Sequence, residues 1–157
     1  MSGILVLLHG FTQTGRSWSP VLAALGEGTY RPVAPDIRGH GDAGARRPIG
    51  FEEIVADVLA AAGDGPFTLA GYSQGGRIAL YVALAVPDRV RRLVLISTTA
   101  GIDDSLQRAA RRASDDVLAS RMEGQGIEVA ARAWAAQALF GGQTPAVSAL
   151  AHEDPGK

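Results

Sequence analysis

The apolar positions of the first hundred residues fall in short unbroken runs, not in alternating patterns. Ile4-Leu5-Val6-Leu7-Leu8 has no polar interruption, which predicts a central parallel strand covered on both faces. Tyr30 to Pro35, Phe67 to Gly71 and Leu93 to Ile96 predict a second, third and fourth strand. Helical patterns lie between them. One surrounds Trp18 to Leu25, and a second runs from Phe51 to Ala62 with Ile54, Val55, Val58 and Leu59 on one face. Glu52 and Glu53 stand near its start, where acidic side chains complement the helix dipole. A third runs from Arg77 to Val86 and is stopped by Pro87. Strand and helix in alternation, with wholly apolar strands, predict an α/β fold: a parallel sheet of about four strands with flanking helices.

The pattern changes after Thr99. Ile102 to Met122 and Ile127 to Leu139 read as two helices rich in Ala and Arg, separated by Gly124-Gln125-Gly126. No strand signal returns before Lys157, and the stretch from Gly141 onward is weakly specified. The expected organisation is an α/β core over residues 1–100 and a helical lid segment over 101–157. Such a segment belongs over the carboxyl edge of the sheet, where ligands of open α/β sheets bind.

Composition narrows the function classes. With 46% apolar residues, 20% charged residues and a net charge of −1, the 157 residues suit one soluble domain with a real core. The charge gives no ground for a nucleic-acid or anionic-membrane partner. Cysteine is absent, which excludes a disulfide framework and a thiolate metal site. No basic region precedes the run at Ile4, and no apolar run approaches the roughly 20 residues that span a bilayer. The expectation is a cytoplasmic protein, its oligomeric state left open.

The chemistry centres on Leu69-Ala70-Gly71-Tyr72-Ser73-Gln74-Gly75-Gly76-Arg77. An apolar strand enters Gly-x-Ser-x-Gly and a helix-forming run follows at once, which is the sequence form of a nucleophile elbow. Gly71 and Gly75 let the turn close without side-chain clashes, and Ser73 is left exposed at the carboxyl end of its strand. His9-Gly10-Phe11, after the first strand, reads as an oxyanion loop, with the backbone N–H groups of Phe11 and Gln74 as donors. A serine of this kind needs a base and an orienting acid, in the chain order Ser, acid, His. Only His152 follows Ser73, in a polar tail that does not suit the role. His9 and His40 read as loop-shaping residues. Arg77 has two readings, an anchor for an anionic substrate or a helix-surface arginine. Arg108, Arg111 and Arg112 share a helix face, where they could meet such a substrate or pair with Asp104, Asp115 or Asp116. Trp134 suits packing or the roof of a pocket.

Taken together, His9-Gly10-Phe11, Asp36-x-Arg38-Gly39-His40-Gly41 and Gly71-Tyr72-Ser73-Gln74-Gly75-Gly76-Arg77 resemble the α/β-hydrolase superfamily. Tyr72 and Arg77 narrow the resemblance to the 2-succinyl-6-hydroxy-2,4-cyclohexadiene-1-carboxylate synthases of menaquinone biosynthesis. Trp134-Ala135-Ala136-Gln137-Ala138-Leu139-Phe140 resembles that family's Trp-x-x-Gln-Pro-aliphatic-Phe signature, with Ala138 in place of Pro. The resemblance implies a lyase, without metal or organic cofactor, in which the serine and its histidine promote proton removal and pyruvate leaves a polyanionic cyclohexene substrate. It implies that Arg77 and Arg111 hold carboxylates, that Trp134 lines the lid side, and that Tyr72 and Ser73 sit at the reacting centre. The family's later strands, with the acid and the histidine, have no counterpart here. The expectation is the N-terminal part of a longer enzyme, or a truncated product unable to run the reaction alone. One sheet edge should then lie unpaired, leaving the chain marginally stable or associated. Two other functions stay open: a serine hydrolase of small carboxylic esters, and a non-catalytic α/β module.

Overall fold

The computed structural model describes residues 3–26, 28 and 30–135. The chain forms two compact units that divide between Ala100 and Gly101.

The first unit is a parallel sheet with helices. Its strands are β1 (Gly3–Leu8), β2 (Tyr30–Val33), β3 (Phe67–Tyr72) and β4 (Val90–Ile96), in the spatial order β2-β1-β3-β4. All three pairings are parallel, with Leu5 opposite Pro32, Val6 opposite Leu69 and Leu69 opposite Leu93. The connecting helices are α1 (Ser19–Leu25), α2 (Phe51–Ala62) and α3 (Gln74–Ala85). Short 3-10 turns at Gly15–Trp18 and Gly41–Ala43 shape the loops after β1 and β2.

Successive side chains of a strand point to opposite faces, so an unbroken apolar run fills both. On one face Val6, Leu8, Phe67 and Leu69 pack with Ile54, Val58 and Ala62 of α2 and Ile78, Ala79 and Val82 of α3. On the other, Leu5, Leu7 and Ala70 pack with Trp18, backed by Leu22, Tyr30, Ala34 and Tyr72. The central position expected of the first strand is therefore observed.

Several boundaries differ from the sequence reading. β2 ends at Val33, short of Pro35, and α1 begins at Ser19 because Gly15–Trp18 is wound more tightly. β4 begins three residues earlier than its apolar run, at Val90, and takes in Arg91 and Arg92. An outer strand tolerates charged side chains that a covered one would not. Helix α3 begins at Gln74, ahead of Arg77, since Gly75 and Gly76 are helical and buried despite their poor propensity. Close packing, described below, is what they supply.

The second unit contains α4 (Ser105–Gln125) and α5 (Ile127–Ala135), which pack on each other. Asp104 caps α4 by accepting the Gln107 N–H at 2.8 Å, which sets its start later than Ile102. Gly126, at φ 86°, ends it, so Gly124 is helical and only Gly126 breaks the pair. The expected continuation of α5 through Leu139 and the tail with His152 lie outside the described residues. Among the described residues no helix is long and apolar enough to cross a membrane.

Candidate active site

β3 ends at Tyr72 and α3 starts at Gln74, so a single residue, Ser73, makes the turn. It does so at φ 52° and ψ −110°, a conformation that costs a non-glycine residue on the order of 1–3 kcal/mol. Surrounding bonds hold it there. The Ser73 N–H donates to the Ile96 carbonyl at 2.9 Å, and the Ser73 carbonyl accepts the N–H groups of Gly76 and Arg77. The expected requirement for Gly71 and Gly75 takes a definite form. A Cβ at Gly71 would overlap the Gly75 carbonyl, and one at Gly75 would overlap the carbonyls of Leu8 and His9. Both glycines are close-approach residues, and Gly75 lets α3 sit directly on the end of β1.

That contact brings the loop after β1 beside the turn. Gly10 packs under the Tyr72 ring, leaving its Cα hydrogen where a Cβ would come within 2.9 Å of Tyr72 Cδ1. Gln13 closes the loop on itself: its Oε1 accepts the Gly10 N–H at 3.0 Å, and its N–H donates to the Gly10 carbonyl. With the Gly10 N–H committed to Gln13, the loop's next amide is that of Phe11. Gln74, as the first residue of α3, has its N–H in the turn where a helix cannot satisfy its own donors.

His9 is wholly buried. Its Nε2 accepts the Ile37 N–H at 3.0 Å, so in the neutral ring the proton sits on Nδ1, which donates to the Gly10 carbonyl at 2.9 Å. The ring thus joins the loops after β1 and β2, with both nitrogens committed, as the loop-shaping reading anticipated. His40 stands edge-on to it with centroids 5.1 Å apart, and Phe11 meets His40 at 6.1 Å.

Asp36 was read only as part of a motif, and its local role was missed. Its Oδ1 accepts the Gly15 N–H at 2.7 Å and its Oδ2 the Asp42 N–H at 2.8 Å. One carboxylate thereby ties the Gly15 turn to the Gly41 turn. Asp followed by a glycine-rich loop was the available signal, since Asp side chains cap such turns. Arg38 pairs with Asp57 of α2, Nε to Oδ2 at 2.6 Å, and donates to the Pro48 carbonyl, which anchors the same loop to the helix.

The structure therefore places Phe11, Tyr72, Ser73, Gln74 and Arg77 in the first unit. Arg77 is exposed in the first turns of α3 and forms no ion pair among the described residues. Arg111 and Trp134 belong to the second unit. Arg111 lies on α4 with its Nε on both oxygens of Asp115, at 2.8 and 3.0 Å, the helix-surface pairing weighed from the sequence. Arg108 donates to the carbonyls of Ile102 and Asp103 at the head of α4. Trp134 is half-buried on α5. Ala136 to Phe140 of the expected lid signature lie outside the described residues, as does His152. Among the described residues no cluster of His, Asp and Glu could hold a metal ion.

Known proteins are similar to this chain in sequence and fold. The chain is 36% identical over 139 residues to the 2-succinyl-6-hydroxy-2,4-cyclohexadiene-1-carboxylate synthase of Enterobacter sp. (strain 638), covering 87% of this chain and 53% of that protein. It is 38% identical over 95 residues to a pimeloyl-acyl-carrier-protein methyl ester esterase of Aliivibrio salmonicida, covering 60% of this chain and 36% of that one. Among solved structures, MenH from S. aureus superposes with a TM-score of 0.81 at 28% identity, over 98% of this chain and 62% of that one. The chain thus spans about half the length of the synthase it matches. Residues 3–123 match the model of the α/β hydrolase fold. With that match running from β1 into α4, the chain belongs to the α/β-hydrolase fold family.

Proposed function

We propose that this chain carries the nucleophile half of a lyase of menaquinone biosynthesis, one that yields 2-succinyl-6-hydroxy-2,4-cyclohexadiene-1-carboxylate. The observation that carries this reading is the match to the synthase over 87% of the chain. The strained Ser73 turn and an exposed Arg77, without an ion pair among the described residues, in the helix it starts are consistent with it. In the proposed reaction a base acting with Ser73 removes a proton from a polyanionic cyclohexene carboxylate. A carbon–oxygen bond then breaks and pyruvate leaves. The N–H groups of Phe11 and Gln74 stabilise the oxyanion that develops. Arg77 supplies a planar pair of donors for a substrate carboxylate, a geometry that suits guanidinium better than ammonium. Tyr72 adds a proposed substrate contact in the same unit, and the resemblance to the synthases is what proposes Arg111 and Trp134 of the second unit for the same substrate. His9 is committed at both nitrogens, so the base comes from elsewhere.

Pyruvate release by the protein expressed from its full reading frame tests the reading. Ser73→Ala should abolish release, and Arg77→Ala should cut kcat/KM by roughly 100-fold if a bidentate charged contact is lost. Absence of pyruvate from the wild-type protein would refute it. A second reading, a serine hydrolase of small carboxylic esters, is favoured by the 38% identity to the methyl ester esterase. Under that reading a neutral ester is turned over and Arg77→Ala leaves its rate unchanged.

A further inference from the structure

Ser73 is not the only residue bent into the left-handed region beside this turn. Ser97, directly after β4, has φ 49°. The bend at Ser97 returns the chain toward the turn, and Thr98 meets it: its Oγ1 donates to the Ser73 carbonyl at 2.9 Å. This bond joins residues 25 apart in sequence, whereas the Gly76 and Arg77 bonds to the same oxygen are ones that any helix start would make. Thr98 also fills the space that Gly76 leaves. A Cβ at Gly76 would lie 2.6 Å from Thr98 Cγ2 and 2.8 Å from its Cβ.

A peptide unit is planar and trans, so the Ser73 carbonyl and the Gln74 N–H are parts of one rigid plate that point in opposite directions. Whatever fixes the carbonyl aims the N–H. We infer that Thr98 is a positioning residue whose hydroxyl, by holding the Ser73 carbonyl, aims the Gln74 N–H at the oxyanion and keeps Ser73 in its strained turn. The inference rests on the proposed role of the Gln74 N–H as an oxyanion donor. Its geometric part, the aiming of the plate, stands apart from that role. The Thr98 methyl contributes packing against Gly76 and the hydroxyl contributes direction, so the two contributions separate by substitution. Thr98→Val keeps the shape and removes the donor. Thr98→Ser keeps the donor and removes the methyl.

The test measures three quantities in the protein expressed from its full reading frame, as wild type and both variants: Tm, the rate at which a fluorophosphonate probe labels Ser73, and the amide resonance of Gln74. Ser73→Ala serves as the blank for labelling. The phosphonyl oxygen of the adduct occupies the place of the oxyanion, so a misaimed donor slows labelling. Thr98→Val should label roughly 10- to 100-fold more slowly while remaining folded, and its Gln74 amide resonance should move. Thr98→Ser should label within about threefold of wild type, with the resonance in place, because donor direction and not bulk decides the rate. Wild-type labelling rate and an unmoved resonance in Thr98→Val would overturn the inference. So would equal losses in both variants, which would reduce Thr98 to packing. If the wild-type protein itself fails to label, the reading of Ser73 fails, and the Gln74 resonance alone then decides the role of Thr98.

Discussion

β3 and β4 are neighbours, pair in parallel with one register shift at Arg91 and both carry apolar runs, yet they live in different surroundings. Phe67, Leu69 and Ala70 of β3 are buried, with Leu69 at 0% exposure. Val94, Leu95 and Ile96 of β4 are 45%, 44% and 38% exposed. The difference does not come from the residues. β3 has a strand on either side and helices on its faces, whereas β4 is the last strand of the sheet among the described residues and only its Val90 and Leu93 reach the α2–α3 core. An apolar run reports what a strand would gain by being covered; its neighbours decide whether it is covered.

Substitutions should break this contrast in a graded way. The largest effect is expected from Leu69→Ala, a cavity in a fully buried site, at about 2–5 kcal/mol in urea unfolding. The same truncation at Leu95 should cost about 1 kcal/mol, since much of that side chain already meets water. Equal losses at the two positions would show β4 to be as covered as β3. Gly75→Ala comes next. Its Cβ would strike the backbone of β1, so about 1–3 kcal/mol should be lost together with reactivity of Ser73 toward a fluorophosphonate. Val94→Lys should leave stability within about 0.5 kcal/mol while lowering concentration-dependent association, read by light scattering. Smallest of all is Arg92→Ala. The exposed bond from Arg92 to the Tyr30 hydroxyl, 2.9 Å long, should contribute less than about 0.5 kcal/mol to Tm-derived stability.

The sheet was legible because burial on two faces leaves a signature no surface strand needs, and β1 and β3 carry it without interruption. The start of β4 was not, because Arg91 and Arg92 break the run, at the register shift against β3. The elbow was legible through its glycines and through the change from strand to helix around Ser73. Its support was not. The bonds from Ile37 to His9, from Gly15 to Asp36 and from Thr98 to Ser73 join residues 28, 21 and 25 apart. Local pattern has no access to such pairs, since they follow from the order of strands in the sheet. For the helices, cap chemistry at Asp104 and Gly126 corrected boundaries that hydrophobic spacing placed a turn early.

The two rims of the sheet are unlike each other. β2 has only four residues, and its Pro32 has no N–H to offer a neighbour, while Arg31 is exposed beside it. β4 has seven residues and apolar side chains facing water. Among the described strands, then, the rim at β4 is the one that offers a long apolar ladder to a further strand, whether of this reading frame or of a second chain.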